Sequence, residues 1–277
     1  MGRGDLHCHT TASDGLLPPR ELVFLAREKG LSFLAITDHD TMKGLGEAEE
    51  AGREWGVRIV PGLEISTDST GEEIHILGYF CRSGHGPLEE KMEEMREGRR
   101  ARIVRMVEKL REAGLELAEE EVFARVKGET PGRVHVAQAL LRRGYVATVE
   151  EAFSRYLSRG RPGYVPRPRL HPREAVSLVR EAGGVPVLAH PGLGRRELVL
   201  AILPELLEEG LGGIEVYYPE HQPEDIALYS ELCRRWDLIP TGGSDFHGPG
   251  HRGELGGVEV TEQVVEALRA RSAASAP

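Results

Sequence analysis

The chain has 277 residues, of which 40% are hydrophobic and 29% are charged, and its formal net charge is −10. This composition is typical of a globular protein with a well-buried core, and no apolar run reaches the roughly 18 to 20 residues that a membrane span needs. The acidic balance argues against a general DNA-coating protein. The three cysteines form neither a CxxC pair nor a disulfide framework. We therefore expect a cytoplasmic protein with reduced thiols, no signal peptide and no membrane contact.

Short apolar runs rich in β-branched residues alternate with amphipathic stretches along the chain. The runs predict strands near Leu6–His9, Phe33–Thr37, Val57–Gly62, Ile74–Tyr79, Val185–Ala189, Gly213–Tyr217 and Leu238–Thr241. The amphipathic stretches predict helices at Pro18–Lys29, Gly46–Trp55, Pro172–Ala182, Arg195–Glu209 and Pro223–Trp236. Strands that alternate with helices favour parallel β/α units, and seven such strands are enough to close, or nearly close, an α/β barrel.

The region from Pro87 to about Tyr164 shows only helical patterns. The Pro-rich stretch "RGRPGYVPRPRLHP" then indicates a return to the barrel. We expect a helical insertion domain at residues 87–164 and a barrel formed by residues 1–86 and 165–277. Between Arg96 and Arg173 there are 18 Lys and Arg residues against 10 Glu and no Asp. This basic segment is either a solvated helical face or a surface that meets an anion.

The first predicted strand carries two histidines that flank a cysteine, in "DLHCHTTASDG". Side chains two residues apart on a strand share a face, so His7 and His9 are expected to point together while Cys8 points away. Two such imidazoles, with Asp14 close behind, can bind one divalent ion. A polar surface loop that happens to contain two histidines is the alternative, and this stretch alone does not decide between them.

Acids and imidazoles also follow most of the other predicted strands. Parallel barrels assemble their sites at the carboxyl ends of strands, and that is where six of these residues stand: Asp38, His39, Glu64, His190, Asp245 and His247. His75 lies inside its predicted strand. Eleven histidines scattered over surface and core would not produce this coincidence. The sequence therefore predicts a set of metal ligands made of His7, His9, Asp14, His39, Glu64, His75, His190, Asp245 and His247.

Nine ligands are too many for one tetrahedral zinc ion, which takes four. Two or three ions would use them all if carboxylates bridge, and Glu64 and Asp245 are the expected bridges. Such a cluster can hold a nucleophilic hydroxide and clamp a transferring phosphoryl group. Mixed imidazole and carboxylate ligation without thiolates favours Mn²⁺, with Fe²⁺ or Zn²⁺ as alternatives.

Six motifs, in this order along the chain, resemble the PHP (polymerase and histidinol phosphatase) family of metallophosphoesterases: "DLHCHTTASDG", "ITDHD", "GLEIS", "HILGY", "AHPG" and "GGSDFHG". The resemblance covers the barrel and implies a distorted (β/α)₇ TIM-like barrel with three divalent metal ions. It implies that His7, His9, Glu64 and Asp245 hold the first ion, that Asp14, His39 and His247 hold the second, and that Glu64, His75 and His190 hold the third.

The helical insertion makes the chain similar to small stand-alone members of this family. That similarity implies a phosphoesterase acting on 3',5'-bisphosphonucleotides or 5'-nucleotides, or a 5'-to-3' exoribonuclease acting on short RNA, by means of a metal-bridged hydroxide. The expected partner is a small phosphorylated substrate, a nucleotide or a short RNA end, with no obligate protein partner. The alternatives are a histidinol-phosphate phosphatase, a metal-dependent amidohydrolase and a non-catalytic metal-binding module. Asp14 and the insertion weigh against the first, Glu64 against the second, and the full ligand set against the third.

Residues outside the ligand set are expected to support the substrate and the ligands. Four side chains are candidates for contact with a substrate phosphate: Arg133, His135, Arg161 and His221. Asp38 is expected either to orient a ligand imidazole from behind or to cap a helix. Three tyrosines are candidates for stacking on a nucleobase, with packing at the barrel edge as the alternative: Tyr164, Tyr217 and Tyr218.

Overall fold

The computed structural model of this chain describes residues 2–84, 86–124, 126, 131–166, 170–250 and 253–274. The chain forms two compact units, one made of Met1–Glu90 with Arg169–Pro277 and the other of Lys91–Pro168. The domain boundaries expected from the sequence lie four residues before these at both junctions. None of the described helices is long and apolar enough to cross a membrane, and the cytoplasmic location stays a prediction.

The first unit is built around one sheet that contains eight strands in the described part of the chain. These strands are β1 (Arg3–Asp5), β2 (Phe33–Ile36), β3 (Arg58–Ser69), β4 (Glu72–Tyr79), β5 (Val185–Leu188), β6 (Gly213–Tyr217), β7 (Ile239–Gly242) and β8 (Val260–Thr261). Their spatial order is β7-β6-β5-β4-β3-β2-β1-β8, so the first seven follow chain order, as in a barrel of β/α units. The predicted α/β barrel fold is confirmed, and β8 is a strand that the sequence analysis missed.

The helices of this unit are α1 (Pro19–Glu28), α2 (Leu45–Trp55), α7 (Pro172–Glu181), α8 (Arg196–Glu209), α9 (Pro223–Trp236) and α10 (Glu262–Ala274). Three of them, α1, α7 and α9, begin at a proline. Proline suits this position because the first turn of a helix has no partner for its amide groups, so nothing is lost when the amide is absent. The prolines therefore determine where the connections after β1, before β5 and after β6 turn into helices.

β3 and β4 do not follow the expected parallel arrangement. They form an antiparallel hairpin whose two turn residues, Thr70 and Gly71, have φ angles of 54° and 94°. Two successive positive φ angles are the signature of the tight turns that match strand twist in hairpins. β4 is also antiparallel to β5. Because β4 runs in the reverse direction, its first half lies at the end of the barrel where β3 ends, and this brings His75 opposite Ser66.

The first strand ends earlier than predicted, at Asp5 rather than at His9. Residues 6–9 nevertheless stay extended, because the Thr37 amide donates to the Cys8 carbonyl at 2.9 Å and the His9 amide donates to the Phe246 carbonyl at 2.9 Å. Cys8 and Phe246 form a parallel bridge. The segments that follow β1 and β7 thus lie side by side and nearly close the barrel.

Gly243 makes this closure possible. A Cβ atom at residue 243 would lie 2.3 Å from the Cβ of His7 and 2.6 Å from its amide nitrogen. Real Cβ atoms do not approach other atoms so closely, so only glycine lets the chain after β7 pass this near to His7. The "GGSDFHG" segment is therefore held against the "HCH" segment.

Side chains that alternate along the strands form two apolar clusters in this unit. One cluster combines Phe33 and Ala35 of β2 with residues of β3, β4 and β5 and with α10. The other face of β2, with Leu34 and Ile36, packs on α1 and α2 together with Cys8. Cys8 thus packs among apolar side chains, whereas His7 and His9 lie together in one group of polar side chains, as the alternation predicted.

The second unit is helical. Its helices are the greater part of α3 (Gly86–Glu112), α4 (Glu119–Phe123), α5 (Arg133–Arg142) and α6 (Val149–Ala152), and α6 continues into a short π-helical turn at Phe153–Leu157. Apolar side chains pack together within it, and several of them are fully buried, such as Met106, Leu110 and Leu140. The unit therefore has a hydrophobic core of its own.

Candidate metal centre

The structure brings all nine predicted ligands into one cluster at the barrel end where β1, β2 and β3 finish. Glu64 lies within β3 rather than after it, because that strand continues past the barrel rim into the hairpin. Three overlapping groups in the described residues have ligand atoms close enough to hold an ion. The first two groups contain the residues that the family resemblance implies for the first and second positions. The third contains Glu64 and His75 of the expected third position, with His39 in place of His190.

The first group contains His7, His9, Glu64 and Asp245, as expected for the first position. His9 Nε2 lies 3.2 Å from Glu64 Oε2 and 3.1 Å from Asp245 Oδ1. His7 Nε2 lies 3.3 Å and 3.4 Å from the same two oxygens. Four donor atoms thus converge on one point, and all four residues are buried.

The second group contains the expected Asp14, His39 and His247 and adds His9. Asp14 Oδ1 lies 3.3 Å from His247 Nε2 and 3.6 Å from His9 Nδ1. Asp14 Oδ2 lies 3.8 Å from His39 Nε2. His9 therefore presents one ring nitrogen to each of the first two groups.

The third position gathers around Glu64. His75 Nδ1 and His190 Nε2 lie 2.8 Å and 3.0 Å from Glu64 Oε1, and His39 Nδ1 lies 3.1 Å from Glu64 Oε2. The two oxygens of Glu64 thus serve different imidazoles, which suits the expected bridging role. The second oxygen of Asp245, Oδ2, accepts a hydrogen bond of 2.9 Å from the Tyr218 hydroxyl.

Several buried polar atoms of this cluster have no hydrogen-bond partner in the described residues: His7 Nε2, His9 Nδ1, His9 Nε2, Glu64 Oε2 and His75 Nε2. A buried polar atom without a partner costs free energy, so native proteins rarely keep several together. Divalent cations would satisfy these atoms. Donor atoms 3.1–3.4 Å apart match ligands that share one ion at bond lengths of about 2.0 to 2.2 Å. The cluster therefore fits divalent metal ions.

The charges of the cluster depend strongly on one another. Burial alone would lower the pKa of His9, but the carboxylates of Asp245 and Glu64 raise it to about 10. Burial dominates at His39 and lowers its pKa to about 3. Burial opposes ionisation of Glu64 and Asp245, yet the surrounding imidazoles hold the pKa values of both carboxyl groups well below their usual range. A cation that binds here must displace a proton from His9.

The cluster is open on one side. The side chains of His7 and His9 are fully buried, whereas that of Asp14 is 32% exposed and that of His247 is 19% exposed. His75 and His190 are exposed to similar small extents. A substrate can therefore approach from the side of the second and third positions, whereas the residues of the first position are buried.

Two of the candidate ligands have an unusual backbone. His190 has φ of 25° and Asp245 has φ of 53°, in the left-handed region that non-glycine residues rarely adopt. Such strained residues cluster at functional sites, where the surroundings hold them in place. Both residues lie just after the end of a strand, β5 for His190 and β7 for Asp245, and this backbone conformation directs their side chains to the cluster.

Sequence reasoning missed Glu215, which lies in β6 and is fully buried. Its oxygens lie 3.0 Å and 3.2 Å from His7 Nδ1, and one of them accepts a hydrogen bond of 2.8 Å from the His190 amide. The signal was present in "GIEVY", since an acid in an otherwise apolar buried strand needs compensating partners. Tyr218, expected at most as a stacking platform, instead donates to Asp245 and is buried.

Asp38 does not orient an imidazole, as one of the two interpretations expected. Its oxygens accept hydrogen bonds from the Thr10 amide at 2.7 Å, the Thr10 hydroxyl at 2.8 Å and the Ser13 hydroxyl at 2.7 Å. It does not cap a helix either. Asp38 instead holds the loop that carries Asp14, together with backbone hydrogen bonds within that loop, such as those from the Ser13 and Gly15 amides to the Thr10 carbonyl.

The structure also disagrees with the expected substrate role of His221. Its Nδ1 donates to the Val216 carbonyl at 2.9 Å, and its Nε2 accepts from the Gly192 amide at 3.0 Å. Both ring nitrogens are engaged and the side chain is buried, so His221 ties the loop after β5 to the end of β6. Its ring nitrogens are therefore not available to a substrate phosphate.

The other three candidate substrate ligands lie in the helical unit. Arg133 is the first residue of α5 and lies over the Phe153 ring, 5.5 Å from its centroid. His135 Nδ1 accepts a hydrogen bond of 3.0 Å from the Gly132 amide, and Arg161 is exposed in a turn. Their contact with a substrate stays a prediction.

The sequence matches the PHP domain family over residues 5–158, more than half of the chain. It is 34% identical to a 5'-3' exoribonuclease of Haemophilus influenzae, with 94% of this chain and 96% of that protein covered. It is 37% identical to the phosphoribosyl 1,2-cyclic phosphate 1,2-diphosphodiesterase of Eggerthella lenta, and the match covers 88% of this chain and 94% of that protein. It is 33% identical to the 3',5'-nucleoside bisphosphate phosphatase of Chromobacterium violaceum, and the match covers 91% of this chain and 90% of that protein.

A solved structure with a closely similar fold comes from Bifidobacterium adolescentis and is described as a candidate metal-dependent phosphoesterase. It superposes with a TM-score of 0.87 at 35% identity, covering 96% of this chain and 95% of that one. The similarity therefore extends over both the barrel segments and the helical insertion.

Proposed function

We propose that this chain, which belongs to the PHP family of metal-dependent phosphoesterases, hydrolyses the phosphate esters of nucleotides or of short RNA ends. The enzyme is a hydrolase of phosphate esters that depends on divalent metal ions. The substrate, the number of ions and their identity are the proposed parts.

One observation carries the proposal: buried imidazoles and carboxylates from five separate segments of the barrel converge, and five of their polar atoms lack partners in the described residues. A structural cluster would satisfy its own hydrogen bonds, as the network around Asp5 does. Unsatisfied atoms that face a common point and are open on one side are instead typical of a site that binds ions and then a substrate.

We propose three divalent ions, one for each group of ligands, and Mn²⁺ as the favoured metal. The groups offer only nitrogen and oxygen donors, a donor set that suits Mn²⁺, Fe²⁺ or Zn²⁺ and gives no advantage to thiophilic metals. Divalent cations in such a site supply Lewis-acid activation of water and neutralise negative charge on phosphoryl oxygens.

The residues of the chain have distinct roles in this proposal. Glu64 links the first and third positions through its two oxygens, and the Tyr218 hydroxyl holds Asp245 by donating to its Oδ2. Asp38 holds the loop that presents Asp14 at the open side. The partly exposed imidazoles at this side then face the phosphate of an incoming substrate.

The nucleotide substrate class is supported by the names of two relatives, an exoribonuclease and a nucleoside bisphosphate phosphatase. The basic insertion supports a polyanionic substrate, because Arg forks match phosphate oxygens. We propose that Arg133, His135 and Arg161 contact the substrate. Hydrolysis of a phosphoribosyl cyclic phosphate is a second candidate, favoured by the 37% identical relative.

A substrate panel with added Mn²⁺ tests the proposal. It contains a 3',5'-bisphosphonucleotide, 5'-AMP, a short 5'-phosphorylated RNA, phosphoribosyl 1,2-cyclic phosphate and histidinol phosphate, with release of phosphate and mononucleotide as readouts. We expect turnover of one or more nucleotide substrates. Turnover of the cyclic phosphate alone would select the second candidate, and turnover of histidinol phosphate alone, or of nothing, would refute the proposal. The Asp245→Asn variant, purified in parallel, controls for contaminating phosphatases.

A further inference from the structure

Glu215 is the one buried acid that contacts two candidate ligands of different ion positions without being part of any ligand group in the described residues. It sits in the middle of β6, between Ile214 and Val216, and is fully buried. A carboxylate in such surroundings is costly unless hydrogen-bond donors compensate it. Its two donors are the ring of His7 and the backbone amide of His190.

The first contact determines how His7 presents its ring. A carboxylate only accepts hydrogen bonds, so the proton of the His7 ring must lie on Nδ1, which is 3.0 Å from Glu215 Oε1. The lone pair of the neutral ring is then on Nε2. That nitrogen faces Glu64 and Asp245 and has no other described partner. Carboxylates that hold ligand imidazoles from behind in this way select the tautomer and raise the basicity of the ligand.

The second contact holds the backbone of His190. The amide of His190 donates to Glu215 Oε2 at 2.8 Å, and the same residue has the strained φ of 25°. Without the carboxylate, this amide would lose its partner at the point where the chain leaves β5. The position of the His190 ring, whose Nε2 lies 3.0 Å from Glu64, depends on this backbone. The rings of His7 and His190 lie nearly parallel, with their centroids 5.6 Å apart.

We propose that Glu215 is a positioning residue that couples the first and third ion positions, by selecting the tautomer of His7 and by holding the backbone of His190. This inference rests on the metal centre of the proposed function, but not on its substrate. The second position, which uses Asp14, His39 and His247, has no contact with Glu215 among the described hydrogen bonds. Loss of the carboxylate should therefore weaken the first and third positions and spare the second.

The Glu215→Gln variant tests this directly, because the carboxamide keeps the size of the side chain but can accept through only one atom. Its NH₂ group must face either His7 Nδ1 or the His190 amide, and both of these are donors. We expect Mn²⁺ affinity at two positions to fall on the order of 10- to 100-fold, as measured by equilibrium dialysis with metal analysis. One position should keep its wild-type affinity.

The matched control is Glu209→Gln, the same chemical change at a residue whose acid accepts from Arg173 at 2.8 Å at the end of α8. It should bind Mn²⁺ as the wild type does. If Glu215→Gln also binds as the wild type does, or if all positions weaken equally, the proposal is wrong. This test measures metal binding and not turnover. Wild-type protein that binds metal but hydrolyses no nucleotide would therefore refute the proposed substrate and leave the role of Glu215 open to this test.

A measurement on the wild-type protein covers the case in which the variant fails to fold. Nitrogen-15 NMR of the Zn²⁺-loaded protein reports which ring nitrogen of each histidine carries a proton, with His7 assigned by comparison with His7→Asn. We expect His7 to be protonated on Nδ1 and metal-bound through Nε2. Protonation on Nε2, or wild-type protein that binds no metal, would overturn the proposal.

Discussion

The barrel unit and the helical unit bury different kinds of side chain. In its described residues, the barrel buries ten Asp, Glu and His side chains to 8% exposure or less, most of them at one end. In the described part of the helical unit, Arg96 is the one charged residue buried to this degree. The charges of that unit instead pair at the surface, as in Glu121 with Arg143 and Glu151 with Arg155. Burial of unsatisfied charge therefore marks where chemistry takes place, whereas charge density alone does not.

The same difference appears in how pKa values are shifted. In the barrel, burial is the largest single influence on the pKa values of His9, His39 and Glu64. Neighbouring charges reverse its effect at His9 and Glu64, whereas burial prevails at His39. In the helical unit, a hydrogen bond from Arg143 lowers the pKa of Glu121, and the smaller effect of burial acts in the opposite direction. Screening by solvent makes surface pairs of this kind weak contributors to stability. Removal of a single charge from the basic segment should therefore change the free energy of unfolding little, whereas removal of a charge from the barrel cluster should disturb its neighbours.

The strongest test of this contrast removes one charge from the cluster. Asp245→Asn keeps the size of the side chain and leaves an oxygen for the Tyr218 hydroxyl, so the protein should stay folded. Turnover should fall by more than about 100-fold, because even groups that only support a metal ligand are worth 10- to 100-fold. Turnover with Mn²⁺ and the Tm are measured together. Wild-type turnover in the folded variant would remove Asp245 from the metal centre.

Acidification should weaken metal binding next most strongly. The pKa of His9 is raised to about 10 by Asp245 and Glu64, so its ring is protonated at neutral pH before metal binds. Binding must release that proton, so the affinity for Mn²⁺ should fall as the pH falls, by up to about tenfold per pH unit for each proton released. Titration calorimetry in two buffers of different ionisation enthalpy measures the protons released. A pH-independent affinity between pH 6 and 8 would contradict the raised pKa.

A smaller effect is expected from a charge of the helical unit. If Arg133 contacts the substrate phosphate, Arg133→Ala should raise KM about tenfold and leave kcat nearly unchanged, since a charge-assisted hydrogen bond contributes about 1.5 to 3 kcal/mol. Arg143→Ala, which removes an arginine paired with Glu121, is the control and should change neither KM nor the Tm. An equal KM in all three proteins would show that the basic segment is only a solvated face.

The smallest expected effect on the metal centre comes from the core of the helical unit. Leu140→Ala removes a fully buried side chain and should destabilise this unit by about 2 to 5 kcal/mol. Because the unit has its own core, the number of Mn²⁺ ions bound per chain should not change. Hydrogen exchange shows in which unit the destabilisation lies. The comparison is with Leu34→Ala, which removes a buried side chain from the barrel. Loss of metal from the Leu140→Ala protein would mean that the two units are one cooperative structure.

The candidate ligands could be predicted because their signals are local. The alternation of His7, Cys8 and His9 predicts which side chains point together, and this holds although the regular strand ends at Asp5. The periodicity of hydrophobic residues also predicted the barrel strands and the helical insertion. What could not be predicted from single stretches was strand direction: the antiparallel β4 depends on a Thr70–Gly71 turn that the strand pattern does not reveal.

The sequence by itself determined the kinds of ligand, their order along the chain and the barrel that assembles them, because residue type and periodicity act over a few neighbouring positions. Only the tertiary structure decided the partners of residues far apart in sequence. Glu215 meets His7 across 208 positions, His221 is taken up by backbone groups, and Asp38 holds a loop instead of an imidazole. Hydrogen bonds of buried polar groups depend on which segments the fold brings within about 3 Å, and no local pattern encodes that distance.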